Sequence, residues 1–405
     1  MNAPGTLREV QTEPPARHNV AALELIRRWI GFDTTSRESN LALIDWTRAY
    51  LEQHGALTAL TFDDNRRKAN LFATLPATDG NTTTGGLVLS GHTDVVPVDG
   101  QPWDTPPFEA TLIGDRLYGR GVADMKSFSA TGLMMVPEFA RRGLKKPLHF
   151  AFSYDEEVGC IGVHRMIADV VARGWTPAGC IVGEPTGMEL VVAHKGKMAW
   201  RCRVRGHEAH SSLTPHGVNS VHIACEIVAY IAERAREFRD GEAHDDAYDV
   251  PYTTAHVGTI RGGTALNIVP RDCAFEFEIR HLPHDDPHAF FADVERYAKT
   301  FLPAMHAVDP ATYIEFDHLS TLPGFDTHDG SAITALGKHC NGTHDVGKVS
   351  FGSEASLFHN ANIPTVLCGP GHIAQAHQPN EWVSLEQLAQ CEAFMRRLAD
   401  RLCAA

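Results

Sequence analysis

The spacing of apolar residues changes several times along the chain, and each change marks a predicted element. In segments 20–30 and 41–51, apolar residues recur every three or four positions, as on the buried face of an amphipathic helix. The next apolar runs are short and bounded by Gly, Pro or polar residues, which is typical of buried strands. These predicted strands span 71–75, 87–90, 148–154 and 180–183. Helical spacing over 127–140 and 163–171 separates the later strands, so the pattern indicates an α/β fold, a mostly parallel sheet with helices on both faces.

A second pattern begins near residue 198 and predicts a second domain. Segment 200–204 alternates between apolar and polar side chains, as a half-exposed antiparallel strand does. The order strand, helix, two strands and helix indicates a two-layer α+β domain. Since 405 residues exceed one ordinary core, we expect two domains. Because the α/β pattern returns after about Pro310, we expect the second domain to be inserted into the first. The predicted division is 1–197 and 311–405 for the discontinuous first domain and 198–310 for the inserted domain.

Composition and charge restrict the classes of function. The chain is 43% hydrophobic and 21% charged, as globular proteins are. Its net charge of −14 argues against nucleic acid or an anionic membrane as a partner, but not against a small anionic substrate. Nine cysteines, an odd number without a C-x-x-C pair, favour reduced thiols in a cytoplasmic protein. No apolar run approaches a membrane span, and the polar N-terminal segment up to His18 lacks the apolar core of a secretory signal.

Residues of the types that bind metal ions follow several of the predicted strands, in stretches rich in Gly or Pro. They are His92, Asp94, Asp124, Glu156, Glu157, Glu184 and His377. In an open α/β sheet the carboxyl ends of the strands border one crevice, so these side chains are expected to lie together. Two imidazoles and several carboxylates suit divalent cations, Zn²⁺ above all. With a spare carboxylate as base, such a site hydrolyses unactivated bonds.

Each of these motifs alone also fits an ordinary surface feature. His92 and Asp94 could form a turn, Asp124 could balance the dipole of the following helix, and 155–157 could be an exposed acidic turn. Their joint placement favours the metal site, with Asp94 accepting a proton from the non-ligating nitrogen of His92. Segment 207–210 spaces its two histidines three apart, whereas a zincin helix requires four, so no second zinc site is expected there.

At these residues the chain resembles the M20 family of co-catalytic zinc amidohydrolases. The matching segments, in order along nearly the whole chain, are SGHTDVVPVDG, LYGRGVADMK, YDEEVG, GEPT, AHSS, GGTALNIVP, EIRHLP and AQAHQPNEW. Within the family, FDTTSRESNLALIDW, AHKGK, PHGVNS and GPGHIAQAHQPNEW are most similar to the acetylornithine deacetylases. The resemblance implies a zinc-exopeptidase-like catalytic domain with an inserted domain that serves as lid and as dimer contact.

The resemblance also implies a role for each of the metal-binding types. It implies two Zn²⁺ ions per subunit, for which Co²⁺ or Mn²⁺ could substitute. Asp124 would bridge the two ions. The remaining ligands would be His92 and Glu184 at one ion, and Glu157 and His377 at the other. Glu156 would be the general base and would bind no metal, while Asp94 would orient His92.

The resemblance extends to residues that contact substrate. His210 matches the family's lid histidine, which in family dimers reaches into the partner subunit's active site and stabilises the oxyanion. Asn267 and Arg280 match lid positions that hold the substrate carboxylate, and Gly352 and Ser353 match a loop beside the same group. Where this loop reads Gly-Ser-Glu-Ala, the best-known acetylornithine deacetylases carry Cys-Thr-Glu-Ala, so the exact substrate stays open.

The expected function is therefore hydrolysis of an N-acyl amino acid by a homodimer. The first candidate substrate is N-acetyl-L-ornithine, cleaved to L-ornithine and acetate as in arginine biosynthesis. A succinyl-diaminopimelate desuccinylase, an aminoacylase or a carboxypeptidase would share the same site motifs. The non-enzymatic alternative is a metal-binding scaffold that has lost catalysis, against which Glu156 beside a complete ligand set argues.

Overall fold

The computed structural model describes residues 20–403, so the predicted polar N-terminal segment lies outside the described residues. The α-helices are α1 (Leu23–Ile30), α2 (Leu41–Gln53), α3 (Lys126–Met134), α4 (Val136–Arg142), α5 (Ile161–Ala172), α6 (Ser220–Asp240), α7 (Pro287–Lys299), α8 (Leu302–Val308), α9 (Ala332–Asn341), α10 (Ala355–Asn360) and α11 (Leu385–Leu402), with a 3₁₀ helix at Ser211–His216. The strands are β1 (Leu57–Phe62), β2 (Ala69–Leu75), β3 (Leu87–His92), β4 (Thr111–Ile113), β5 (Arg116–Tyr118), β6 (Leu148–Ser153), β7 (Gly179–Val182), β8 (Val191–His194), β9 (Gly196–Arg205), β10 (Ala209–His210), β11 (Thr254–Gly262), β12 (Ile268–Val269), β13 (Asp272–His281), β14 (Tyr313–Leu322), β15 (Phe325–Asp326), β16 (Gly347–Val349), β17 (Thr365–Leu367) and β18 (Trp382–Ser384).

The larger sheet has the strand order β1-β2-β6-β3-β7-β17-β8-β15, and β16 also pairs with β8. Its central strands β6, β3, β7 and β17 run parallel, and every residue in them is buried. Such strands need a cover on both faces, which explains their continuous apolar runs. Helices α9 and α11 pack together, as do α5 and α10, and both α9 and α10 contact β7. The predicted α/β sheet with helices is confirmed.

The smaller sheet is antiparallel, with the strand order β11-β13-β9-β14. Along β9 and β13 buried residues alternate with partly exposed ones, so one face is apolar and the other polar. The apolar face packs against α6 and α7, where the Trp200 and Phe291 rings stack 4.7 Å apart. The polar face carries the charged residues of the two strands, and its end near Lys197 borders the cavity described below.

The predicted division into domains needs one correction. Strand β14 pairs with β9 from Tyr313 opposite Arg205 to Leu322 opposite Lys197, so it is an edge strand of the smaller sheet. The sequence prediction ended the insert at residue 310 and gave this strand to the first domain. Its residues are all partly or fully exposed, unlike those of the buried central strands of the larger sheet. We therefore propose that the inserted domain extends to residue 322.

Two sequence expectations concern cysteines and membranes. All nine cysteines lie within the described residues and are free, and Cys225 is the exposed one among them. No helix in residues 20–403 combines the length and the apolar character that crossing a membrane requires.

Candidate active site

The candidate ligands lie at one edge of the larger sheet because neighbouring parallel strands end there. His92 is the last residue of β3 and pairs with Ser153, the last residue of β6. Glu156 and Glu157 follow β6 after a turn, and Glu184 follows β7 two residues beyond its end. The loop after β17 carries His377. The strand-end argument from the sequence thus leads to a shared location in the structure.

Four of these side chains contact one another directly. His92 Nε2 lies 2.9 Å from Asp124 Oδ1, and His377 Nε2 lies 3.4 Å from Asp124 Oδ2 and 2.9 Å from Glu157 Oε2. Donor atoms of His92, Asp124 and Glu157 all lie within 4.8 Å of one another. The two oxygens of Asp124 therefore face two different imidazoles, which is the arrangement a bridging carboxylate requires.

Glu184 completes the cluster and lacks a partner of its own. The residue is 4% exposed, and its Oε1 atom has no hydrogen-bond partner among the described residues. A buried carboxylate oxygen without a partner is costly in free energy unless a cation compensates it. Together with two imidazoles and two further carboxylates, this oxygen fits a divalent cation of the borderline type. The donor set therefore passes the chemical test for a metal centre.

The electrostatics of the cluster support the same conclusion. Burial raises the pKa of Glu184 well above its ordinary value, that of Glu156 to about 8 and that of Glu157 to about 7. Hydrogen bonds to Asp124 and Glu157 raise the pKa of His377 to about 10. Burial and the neighbouring carboxylates both disfavour the ionised form of these glutamates. A bound cation would stabilise the ionised form.

Asp94 acts differently from the sequence prediction. His92 Nδ1 lies 2.8 Å from the backbone carbonyl oxygen of Asp94, whereas the nearer carboxylate oxygen is 3.6 Å away. The carboxylate instead accepts the backbone N–H groups of Glu156 at 3.0 Å and Glu157 at 3.3 Å, and the Ser36 hydroxyl at 2.7 Å. The main chain of Asp94 thus orients the imidazole, and its side chain holds the acidic turn after β6.

Glu156 and Glu157 are adjacent but point into different surroundings. Glu157 contacts His377, whereas Glu156 forms no ion pair with either imidazole among residues 20–403. The Cys160 thiol donates a hydrogen bond to Glu156 Oε1 at 3.2 Å. Both glutamates line the same cavity as His377 and Glu184. Glu156 is therefore free to exchange a proton with a molecule in that cavity.

Glu381 is a residue of the site that the sequence prediction missed. Its Oε1 atom accepts the backbone N–H groups of Ala123 and Asp124, and its Oε2 atom accepts those of Gly121 and of the Arg120 guanidinium. It is buried and fixes the loop that presents Asp124. The available signal was its place in the AQAHQPNEW segment, four residues after His377.

An open cavity of about 240 Å³ lies above the cluster, between the smaller sheet and loops at the edge of the larger sheet. Arg280 from β13 and Gly352 line it, as the sequence predicted, and so does Lys197 from β9, which the prediction omitted. Ser353 does not line it, and its assignment as a substrate contact needs correction. The residue is fully buried, and its hydroxyl accepts the backbone N–H of Ala355, the first residue of α10, so the side chain faces the protein interior and not the cavity.

His210 and Asn267 lie outside this cavity. They occupy the short β10–β12 ribbon, where His210 pairs with Ile268 and the Asn267 carbonyl accepts the backbone N–H of Ser211. Both side chains are exposed, and His210 Nδ1 lies 2.9 Å from the Ser212 hydroxyl. Within one chain the structure therefore separates these two residues from the cluster of candidate metal ligands.

Comparison with known proteins gives a consistent result. The profile of Peptidase family M20/M25/M40 matches residues 88–401. An acetylornithine deacetylase from Pasteurella multocida (strain Pm70) is 31% identical over 373 residues, which cover 90% of this chain and 92% of the relative. The crystal structure of an aminopeptidase from Bacillus cereus gives a TM-score of 0.74 at 21% identity and covers 94% of this chain and 97% of that chain. A dinuclear metal binding peptidase of the M20 family from Bacillus subtilis gives 0.65 at 13% identity, covering 94% and 97%.

The chain belongs to Peptidase family M20/M25/M40, and the resemblance found in its sequence is confirmed. It is a metal-dependent amide hydrolase that acts on small peptide-like molecules. The alternative of a metal-binding scaffold without catalysis is therefore set aside.

Proposed function

We propose that the protein hydrolyses an N-acyl amino acid to a carboxylate and a free amino acid. The observation that carries this proposal is Glu156, an acidic side chain at the edge of the ligand cluster that contacts no imidazole and opens into the cavity. N-Acetyl-L-ornithine is the first candidate substrate, supported by relatives such as the 31% identical acetylornithine deacetylase. Hydrolysis of this substrate would place the enzyme in arginine biosynthesis.

We further propose that the site holds two Zn²⁺ ions, with Co²⁺ or Mn²⁺ as substitutes. Support comes from Asp124, whose two oxygens face His92 and His377, and from the unpartnered oxygen of Glu184. The similar Bacillus subtilis structure is that of a dinuclear metal binding peptidase. The proposed ligands are His92, Asp124, Glu157, Glu184 and His377. Bound cations would supply a Lewis acid for the amide carbonyl and make a water molecule more acidic.

The protein side chains would then carry out binding and proton transfer. Glu156 would take a proton from the attacking water and pass it to the leaving nitrogen, so it acts first as base and then as acid. The Asp94 carboxylate would keep Glu156 in place by accepting its backbone N–H. Arg280 would hold the substrate carboxylate at the side of the cavity that the smaller sheet forms.

A second candidate substrate is an N-acetylated neutral amino acid. Within the described residues, the lining of the cavity offers no carboxylate outside the cluster of Asp124, Glu156, Glu157 and Glu184. The ammonium group of ornithine would therefore find no separate acidic partner there. The lining does include Leu322, Phe351 and Ile373, which suit an apolar side chain.

One substrate panel tests the proposal and ranks the candidates. The protein is incubated with Zn²⁺ or Co²⁺ and with N-acetyl-L-ornithine, N-acetyl-L-methionine or N-succinyl-diaminopimelate, and amine release is followed. We expect release from one of the two acetylated substrates. Glu156→Gln protein purified in parallel reports any contaminating activity. Metal binding without amine release from any of the three would reject the proposed function.

We also propose that the enzyme works in the cytoplasm as a homodimer in contact through the inserted domain. The nine free cysteines support a reducing compartment, and the distance of His210 and Asn267 from the cavity supports their action on a partner subunit's site. Mixing His210→Ala and Glu156→Gln proteins tests the second point. Heterodimers should regain activity because one of their two sites has an intact base and an intact partner histidine. Mixtures that exchange subunits but regain nothing would contradict it.

A further inference from the structure

The smaller sheet contributes two cationic side chains to the cavity, and the proposed mechanism uses only one of them, Arg280. Lys197 on β9 and Arg280 on β13 are direct partners in the strand register, so their side chains leave the same face of the sheet. Both line the cavity above the metal-binding cluster. Directly opposed like charges destabilise an antiparallel pair, so a compensating anion is expected beside them.

Glu278 supplies that anion. Its Oε1 atom accepts the Nε–H of Arg280 at 3.1 Å, and its Oε2 atom lies 3.3 Å from Lys197 Nζ. Burial would raise the pKa of Glu278, but Arg280 and Lys197 outweigh it and hold that pKa below its ordinary value. His256 stands 3.6 Å from Glu278 on the next strand, outside the cavity and largely exposed. One carboxylate thus links both cavity-lining cations from the side.

This arrangement leaves hydrogen-bond donors free on both cations. Arg280 uses Nε for Glu278, and its two terminal nitrogens have no acceptor among the described residues. Lys197 contacts Glu278 alone among these residues, although an ammonium group has three hydrogens to donate. About a third of each side chain remains exposed, at 33% for Lys197 and 34% for Arg280. Two cations with one anion leave one positive charge facing the cavity.

We propose that Lys197 is a specificity-determining residue that binds the substrate's carboxylate together with Arg280, while Glu278 holds both cations in position. The incoming carboxylate would complete a ring of alternating charges with Lys197, Glu278 and Arg280. This proposal rests on the proposed hydrolysis of N-acyl amino acids and adds a requirement to it. The amino-acid end of the substrate must carry a free carboxylate, and its α-carboxamide must be a poor substrate.

The test compares a carboxylate substrate with its own amide in variants of Lys197. N-Acetyl-L-ornithine and N-acetyl-L-methionine are each assayed against the corresponding α-carboxamide. Lys197→Met removes the charge and keeps most of the length of the side chain. We expect kcat/KM for the carboxylate substrate to fall about tenfold, mainly through KM, because one charge-assisted hydrogen bond is lost. We expect kcat/KM for the carboxamide to stay unchanged. Lys197→Arg should restore most of the preference for carboxylate over carboxamide.

Arg201→Met is the matched control. Arg201 lies on the same face of β9 and forms the same kind of cross-strand ion pair, with Glu276, but it does not line the cavity. Arg201→Met should leave kcat/KM for the carboxylate and for the carboxamide unchanged. If Lys197→Met instead lowers turnover of carboxylate and carboxamide equally, Lys197 has a structural role and the proposal is overturned. The proposal is also overturned if Lys197→Met changes neither the rates nor the ratio of kcat/KM for the carboxylate to kcat/KM for the carboxamide.

Calorimetric titration separates this proposal from the proposed function. Glu156→Gln protein with Zn²⁺ is titrated with the acetylated amino acid and with its α-carboxamide, so that no turnover is needed. Tighter binding of the carboxylate supports the subsite if the additional Lys197→Met change weakens that binding about tenfold, with Arg280 retaining the rest of the preference, even if the wild-type protein hydrolyses neither compound. Equal affinity for carboxylate and carboxamide contradicts the subsite even if hydrolysis is observed.

Discussion

The Glu381 carboxylate accepts the backbone N–H of Asp124 at 3.1 Å, so the loop that carries Asp124 is held by the loop that carries His377. The same carboxylate accepts the N–H groups of Ala123 and Gly121 and the Arg120 guanidinium. Four donors on two oxygens require an ionised carboxylate, because an amide has a single acceptor oxygen. The position of Asp124 between the two imidazoles therefore depends on a residue that lies beside neither of them.

Glu381→Gln should disturb both stability and metal binding. The amide would direct an NH₂ group at two of the four donors and leave Arg120 without its buried anionic partner. We expect the free energy of unfolding to fall by about 2–4 kcal/mol, which is typical when one partner of a buried charged network is removed. Metal affinity should fall as well, because Asp124 loses its backbone anchor. Urea denaturation and zinc titration measure the two effects.

Glu392→Gln provides the control for Glu381→Gln. Glu392 is also a buried glutamate that accepts a backbone N–H, from Ala22 at 2.8 Å, but it lies on α11 outside the cavity. It should lower stability without changing zinc affinity. If Glu381→Gln leaves zinc affinity unchanged while lowering stability, Glu381 supports the fold and does not position Asp124.

The adjacent residues Glu156 and Glu157 should respond differently to the same substitution. Glu156→Gln removes the proposed proton acceptor, so kcat should fall by about 10²–10⁴-fold, the range of general acid–base catalysis. Zinc content should stay at the wild-type level because Glu156 contacts neither imidazole. Glu157→Gln removes a carboxylate that lies 2.9 Å from His377, so zinc content should fall together with activity. Metal analysis and steady-state kinetics on the same preparations distinguish the two.

The outcome that contradicts these assignments is specific for each residue. Near-normal turnover in Glu156→Gln would remove Glu156 as the base. Full zinc content in Glu157→Gln would remove Glu157 from the ligand set. Because both variants have the same charge change and neighbouring positions, a general loss of folding would affect them alike.

The sequence predicted that the proposed ligands lie together because strand ends are visible in it. His92, Glu157 and Glu184 each follow an apolar run that the structure shows as a central parallel strand. Glu381 left no comparable signal, since its partners are backbone N–H groups, which every residue except proline carries. The link from Lys197 to Arg280 depends on strand register, which a polar alternation does not specify. The predicted boundary at residue 310 left segment 313–322 in the first domain, because the sequence does not show which sheet a half-exposed strand joins.

The close approach of Gly183 to Phe128 explains why a glycine precedes the proposed ligand Glu184. A Cβ atom on Gly183 would lie 1.9 Å from Phe128 Cγ, inside a buried region of α3 and β7. Gly183→Ala should therefore lower the free energy of unfolding by about 3 kcal/mol through overpacking. It should also weaken zinc binding, because Glu184 follows directly. Urea denaturation and zinc titration measure both changes.

Gly31→Ala is the comparison for Gly183→Ala. At Gly31 a Cβ atom would meet its nearest neighbour at 3.4 Å, and φ is −64°, which any residue adopts. We expect little change in stability there. Wild-type stability in Gly183→Ala would show that α3 and β7 separate easily and that the packing next to Glu184 is loose.

His149 should make the protein less stable in mild acid. Burial lowers the pKa of this fully buried histidine from 6.5 to about 4, and its Nε2 atom has no partner within residues 20–403. The folded state therefore keeps the ring neutral, whereas the unfolded chain binds a proton as the pH falls below 6.5. The stability that the neutral His149 ring contributes is full above pH 6.5 and is lost as the pH decreases towards 4. The free energy of unfolding should fall by about 3 kcal/mol over this range.

His149→Gln tests this linkage, because glutamine is neutral throughout and its carbonyl can accept the Thr74 hydroxyl that lies 2.9 Å from His149 Nδ1. Urea denaturation at pH 7 and pH 4 should show a smaller loss of stability in the variant than in the wild type. The exposed His164 on α5 supplies the control, since His164→Gln should leave the wild-type difference unchanged. Other titrating groups are common to all three proteins and cancel in the comparison. Equal losses in wild type and His149→Gln would mean that His149 is solvated or protonated in the folded state.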